Sequence, residues 1–154
     1  MQLFLYILVT AVTFSFMEFM AWFSHKYIMH GFGWVLHEDH HQPHKGWFEK
    51  NDAYFIFYAV ISTGMVMLWA EGYFNYGLSI GLGILFYGIA YFLVHDVFIH
   101  RRFNWLKNTD NVYFRAIRKA HKVHHKHQGK EDGECFGMLL VPMKYFKEAA
   151  KSNK

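Results

Sequence analysis

A chain of 154 residues is long enough for one domain, and its single cysteine, Cys135, excludes an internal disulfide and a thiolate metal site. A formal net charge of +4 would suit a nucleic-acid partner, but no RNP-like, zinc-finger or helix-turn-helix pattern accompanies it. Hydrophobic residues make up 53% of the chain and are gathered in long stretches almost free of charge, which points to a membrane.

A helix that crosses a bilayer needs about 20 apolar residues. Residues 3–23 satisfy this with Glu18 as their only charge, and residues 53–70 and 76–94 carry none. The first stretch lacks a basic leader and a small-residue cleavage site, so it is expected to remain as a membrane helix. Residues 136–146 are too short to span and contain Pro142 and Lys144, so an interfacial or docking segment is expected there. The third span carries Gly77, Gly81, Gly83 and Gly88, and small residues at such spacing let membrane helices approach closely.

All 16 lysines and arginines fall within residues 24–52 or after Val94, and the short link between the second and third spans has none. Positive residues stay on the cytoplasmic side. Three spans place both basic regions on one side, so topology accounts for the charge without an acidic partner.

Ten of the twelve histidines follow one pattern stated twice, HxxxxH and then HxxHH. They are His25 and His30, then His37, His40 and His41; and His95 and His100, then His121, His124 and His125. Each statement begins where a span reaches the cytoplasm. On a helix the three residues of HxxHH share a face, so two such helices can present six imidazoles to a common centre. Residues five apart stand about 140° apart on a regular helix. HxxxxH therefore needs an unwound end, a bulge, or histidines that grip different metals. Imidazole binds zinc, copper, iron and nickel alike, but a structural zinc closes with four ligands, so ten histidines point to two ions. His44 and His127 stand outside the pattern and are assigned no ligand role.

The order of these boxes resembles the fatty acid hydroxylase superfamily of membrane di-iron proteins, and within it the bacterial β-carotene hydroxylases. The likeness extends through Met17, Glu18, Ala21 and Trp22, the runs at 25–31 and 34–41, Lys45, Gly46, Asn51, Asp52, the run at 91–96, Ala120 and His121. It implies a monooxygenase of carotenoid biosynthesis that uses two irons and O2 to hydroxylate a carotenoid ring at carbon 3, giving zeaxanthin. Zinc would be a substitute metal in purified samples. Electrons must come from outside, because neither a dinucleotide-binding glycine fingerprint nor a haem-attachment motif is present. The resemblance suggests a ferredoxin and its reductase, with the basic residues 101–130 as a docking region. The implied fold is an all-α integral membrane protein of the inner (plasma) membrane. It is a single domain, 1–154, of about three transmembrane helices under a cytoplasmic, helical, histidine-rich cap.

Several residues stand out around the histidines. Glu18 lies two turns before His25 on the same face, and a carboxylate inside a span is a functional candidate. It is expected to hydrogen-bond a ligand imidazole or to become a ligand. Asp39 and Asp96, like Glu38, adjoin histidines and are candidates to accept the second ring N–H. Tyr91, one turn before His95, is the candidate for substrate contact among the span aromatics. Two other functions compete: a fatty acyl or sterol hydroxylase or desaturase of the same superfamily, and a membrane metal transporter. Relatives of the first kind are generally longer, and a transporter needs ligands at mid-membrane, where this chain is apolar.

Overall fold

Long uncharged runs leave the backbone one way to satisfy its N–H and C=O groups in lipid, which is helix. The computed structural model describes residues 1–42, 46, 48–103, 109–127, 129, 131 and 133–151, and among them the chain is helical, without a strand. His44 lies outside the described residues. Helix α1 (Gln2–Phe23) runs on as a π-helical segment, Ser24–Phe32. A short α2 (Trp34–His37) and a 3-10 turn (Glu38–His41) follow. Helix α3 (Asp52–Ala70) returns, and α4 (Gly77–Tyr91) runs on as a second π-helical segment, Phe92–Ile99. Helices α5 (Val112–His124) and α6 (Met143–Lys151) complete the chain.

Three of these elements, Gln2–Phe32, Asp52–Ala70 and Gly77–Ile99, are long and apolar enough to cross a membrane. The first and third exceed their expected bounds because the π-helical segments prolong them. Little of their surface is hidden: Leu3, Ile7, Phe16, Phe57 and Val60 are all exposed. An apolar surface of that extent belongs against lipid.

Helix α4 is the centre of the bundle and touches both α1 and α3. Its glycines explain how. A Cβ at Gly81 would fall 2.8 Å from the Ser62 carbonyl of α3, and one at Gly83 would fall 2.8 Å from the Thr10 carbonyl of α1. The Ser62 hydroxyl donates to the Gly81 carbonyl at 2.8 Å and ties α3 to α4. Gly88 differs, since a Cβ there would meet only the ring edge of Phe55 at 3.6 Å.

Beyond the spans, Asn111 caps α5 by accepting from the amides of Tyr113 and Phe114. One face of α5 packs Ala116 and Ala120 against Tyr145 and Ala149 of α6. Residues 136–146 dock, the second of their two expected roles: Phe136 and Met138 are buried, and residues 134–142 cross back to α1 as a strap before α6 begins at Met143, with Leu140 exposed.

The glycine contacts predict an asymmetry. Gly83→Leu should cost about 1–3 kcal/mol or more through overpacking, whereas Gly88→Ala should be nearly neutral. Thermal unfolding of the detergent-solubilised variants measures both.

Candidate metal centre

The two π-helical segments, the first of them kinked where His30 and Gly31 leave helical φ/ψ, remove the difficulty of the HxxxxH spacing. A π-helix bonds residue i to i+5, so residues five apart come onto one face. The His100 amide donates to the His95 carbonyl at 2.9 Å, and the Gly33 amide to the Ile28 carbonyl at 2.9 Å. The rings of His25 and His30 lie 5.1 Å apart, and those of His95 and His100 lie 4.5 Å apart.

The HxxHH boxes are built differently in the two halves. His121, His124 and His125 sit at the end of α5, as a helix predicts. His37 ends α2, while His40 and His41 lie on the 3-10 turn, so the first box is not one regular helix. A three-residue turn brings His40 under His37, and their rings stack 5.3 Å apart.

The boxes do not each face one centre. Ligand nitrogens of His25, His30, His37, His41 and His124 gather within 4.8 Å of one another, and so do those of His40, His95, His100 and His121. Each half thus lends one histidine to the other's set: His40 crosses to the second and His124 to the first. His125 stands beside the second set, its Nε2 2.8 Å from that of His121, and its ring stacks 4.4 Å from His41 of the first.

Proton bookkeeping shows what this arrangement accepts. His25 donates from Nδ1 to the Phe136 carbonyl at 3.0 Å, and His37 donates from Nδ1 to Asn51 Oδ1 at 2.7 Å. Both rings then hold only a lone pair on Nε2, yet these two atoms face each other 3.1 Å apart. Burial, together with the neighbouring His30, lowers the His37 pKa to about 3 even though the Asn51 bond opposes it. Burial likewise holds His124 at about 3 and His125 at about 4, and it pushes His40, His100 and His121 downward as well. Neutral imidazoles with converging lone pairs are the donor set of a metal cation, and these residues fit one.

Backing groups fix the remaining rings. His40 donates from Nδ1 to Glu49 at 2.9 Å, and His124 from Nδ1 to the Glu134 carbonyl at 3.1 Å. Asp96 lies 3.6 Å from His95 Nδ1, and the Tyr91 ring packs 4.7 Å from the His95 ring. Among the described residues Asp39 has no histidine partner: its Oδ2 accepts from the Lys50 amide at 2.7 Å and holds the chain ahead of α3. The exposed Glu38 accepts from Gln42.

Glu18 also departs from expectation. Its Oε1 accepts from the amides of Met138, Leu139 and Leu140 at 2.9, 2.9 and 3.0 Å, and its Oε2 from the Tyr87 hydroxyl at 2.7 Å. Four donors occupy the carboxylate, so it pins the strap whose Phe136 carbonyl orients His25 and serves the imidazoles only through that strap. Glu49 and the carbonyls of Glu134 and Phe136 carry no signal of their own in the sequence, and Asn51 stands out there only within the family likeness.

A cavity of about 620 Å³ lies between α1, α3 and α4. Its wall is apolar along Met17, Ile84, Gly88 and Phe55, and it includes His25 and Tyr91 at the histidine end. Phe55 and Ile56, also in the wall, are 49% and 60% exposed on the outside of the bundle, where lipid would lie.

The model of the family described as Fatty acid hydroxylase matches residues 10–146. The chain belongs to that family. A β-carotene hydroxylase of Pantoea ananas is 40% identical over 135 residues, covering 88% of this chain and 77% of the relative. One from Paracoccus sp. (strain PC1) is 35% identical over 138 residues, covering 88% and 83%. The chloroplastic β-carotene 3-hydroxylase 1 of Arabidopsis thaliana is 39% identical over 133 residues, which are 82% of this chain and 41% of that protein. No solved structure matches the chain. The family is one of oxygenases, so this chain is an enzyme whose histidines sit at the end of a membrane bundle.

Two expectations follow. An unfolded histidine titrates near 6.5, above the folded values of about 3 to 4 at His37, His124 and His125. Between those limits the unfolded chain binds protons that the folded one refuses, so stability falls as pH drops. The melting temperature of chelator-treated protein should be flat above about pH 7 and fall steadily below about pH 6.5; a flat profile down to about pH 5 would show the rings to be solvated. Glu18→Leu should leave strap amides unbonded at about 1–3 kcal/mol each. Hydrogen exchange at residues 138–140 should then accelerate about tenfold or more, since 1.4 kcal/mol is tenfold.

Proposed function

We propose that this protein is a β-carotene 3-hydroxylase whose two histidine sets each hold an iron ion. The observation that carries the reading is the cavity, whose lining runs from apolar Met17, Ile84 and Phe55, which suit a hydrocarbon ring, to His25 and a polar end at Asp52, Asp96 and Arg102. The curated relatives supply the substrate class, since all three named above are β-carotene hydroxylases.

The overall reaction inserts one oxygen atom of O2 into a ring C–H bond. Two electrons and two protons reduce the other atom to water. Iron with dioxygen would supply the oxidant that an inert C–H bond requires and no side chain provides. The chain's own residues do the rest. His25, His30, His37, His41 and His124 would hold one ion, and His40, His95, His100 and His121, with His125 beside them, the other. Backing bonds from Asn51, Glu49 and the two strap carbonyls keep the coordinating nitrogens unprotonated. Met17, Ile84 and Phe55 exclude water and seat the polyene, while Tyr91 packs between cavity and His95.

The positive-inside pattern supports a cell inner membrane location with the histidines facing the cytoplasm. Electrons would then arrive from a soluble donor, and a ferredoxin with its reductase fits that requirement. The exposed Lys122 of α5 and Lys126 just beyond it offer an acidic donor a surface. A transporter is disfavoured, because the one carboxylate deep in a span, Glu18, has its oxygens committed to the strap and Tyr87.

Pigment analysis of a host that makes β-carotene tests the reading. Expression of the chain should yield zeaxanthin or its mono-hydroxylated precursor, and His124→Ala should abolish both. Unchanged β-carotene, with the protein in the membrane and a donor supplied, would overturn the carotenoid assignment.

A further inference from the structure

We propose that Arg102 is a positioning residue for the second histidine set, acting through the carboxylates that back His40 and His95. The inference rests on the two-ion reading above. Arg102 reaches three carboxylates from three places in the chain. Its Nη1 donates to Asp52 at 3.0 Å and to Asp96 at 2.9 Å, and its Nη2 donates to Asp52 at 3.3 Å and lies 3.5 Å from Glu49. Glu49 accepts from His40 Nδ1, and Asp96 stands beside His95 Nδ1. One guanidinium therefore faces the carboxylate bonded to His40 and the carboxylate beside His95, and Asp52 anchors it to the first residue of α3.

The need for a cation is electrostatic. Three carboxylates drawn together in a partly buried site repel one another and would turn away or take up protons. Either change removes the acceptor that orients His40 and the negative charge that stands beside His95. A guanidinium answers this with donors in a fixed planar fork, which an ammonium cannot reproduce.

The backbone is shaped for the same end. Arg101 adopts a left-handed φ of 57°, which a non-glycine residue rarely does. That turn folds the chain back so that the Arg102 amide donates to the Asp96 carbonyl at 2.9 Å. Strain of this kind persists where the surroundings demand it.

The first set is backed otherwise. Asn51 Oδ1 and the carbonyls of Phe136 and Glu134 are neutral acceptors and need no counter-cation. Loss of Arg102 should therefore act on one ion and leave the other in place.

The test uses the full-length protein purified from iron-supplemented cells, with iron per chain and Mössbauer spectra as readouts. The unaltered protein should hold two irons. Arg102→Gln should hold about one, the affinity of the second set falling about 10–100-fold as for other lost backing groups. Arg102→Lys should recover only part of the loss. Asn51→Leu, which removes the partner of His37, should deplete the other ion and leave a distinguishable spectrum. Arg102→Gln retaining both irons at unchanged affinity, or losing both together, would overturn the proposal. Fewer than two irons in the unaltered protein would instead overturn the two-ion reading, and this inference with it.

Discussion

The lone pairs of buried neutral imidazoles, turned toward one another, set the terms for the rest of this structure. His25 and His37 bring Nε2 atoms to 3.1 Å with their protons committed to the Phe136 carbonyl and Asn51. No neutral side chain relieves such a contact, and burial makes protonation costly. A folded protein therefore needs a cation between the rings and acceptors behind them. The strap, Asn51 and Glu49 exist in their observed positions to provide those acceptors. An imidazole with both nitrogens unsatisfied would stabilise neither the fold nor a metal.

Helix geometry then decides how ten rings can converge. A regular α-helix spreads HxxxxH over two faces, and the π-helical turns draw each pair together at the end of a span. The second constraint is the exchange of His40 and His124 between halves. A half that kept all five of its histidines would fold around its own ion independently of the other. The exchange makes each site depend on both halves, so the bundle and cap close as one unit.

Much of this architecture is legible in the sequence, for reasons that are physical. The spans are readable because lipid admits uninterrupted apolar runs and little else, and the ten histidines are readable because their spacing repeats. The bounds of the first and third spans are less so, since α- and π-helical turns use the same residues. The first HxxHH box is misread as a helix because four residues of α2 followed by a 3-10 turn leave no periodic trace. Glu18 is correctly marked as unusual by its depth, but its partners are backbone amides 120 residues away. No side-chain pattern encodes a backbone partner. Asp39 shows the same limit in reverse: adjacency to a histidine in sequence placed it near one, while the local turn aimed it at the Lys50 amide.

Glu18 and the strap join the apolar half of the molecule to the polar half. The carboxylate lies in α1 beside Met17, a wall residue of the cavity, and its hydroxyl partner Tyr87 is a wall residue as well. Its other oxygen holds the segment whose Phe136 carbonyl orients His25 and whose Phe136 ring lines the same cavity. The cavity's shape and the histidine's direction are thus fixed by one hydrogen-bonded group. Widening the cavity by shifting α1 against α4 would move the strap, and moving the strap would turn the imidazole. Substrate fit and ligand geometry therefore cannot be altered separately at this end of the site, although they can be at Gly88, which faces the cavity and carries neither the strap nor a histidine partner.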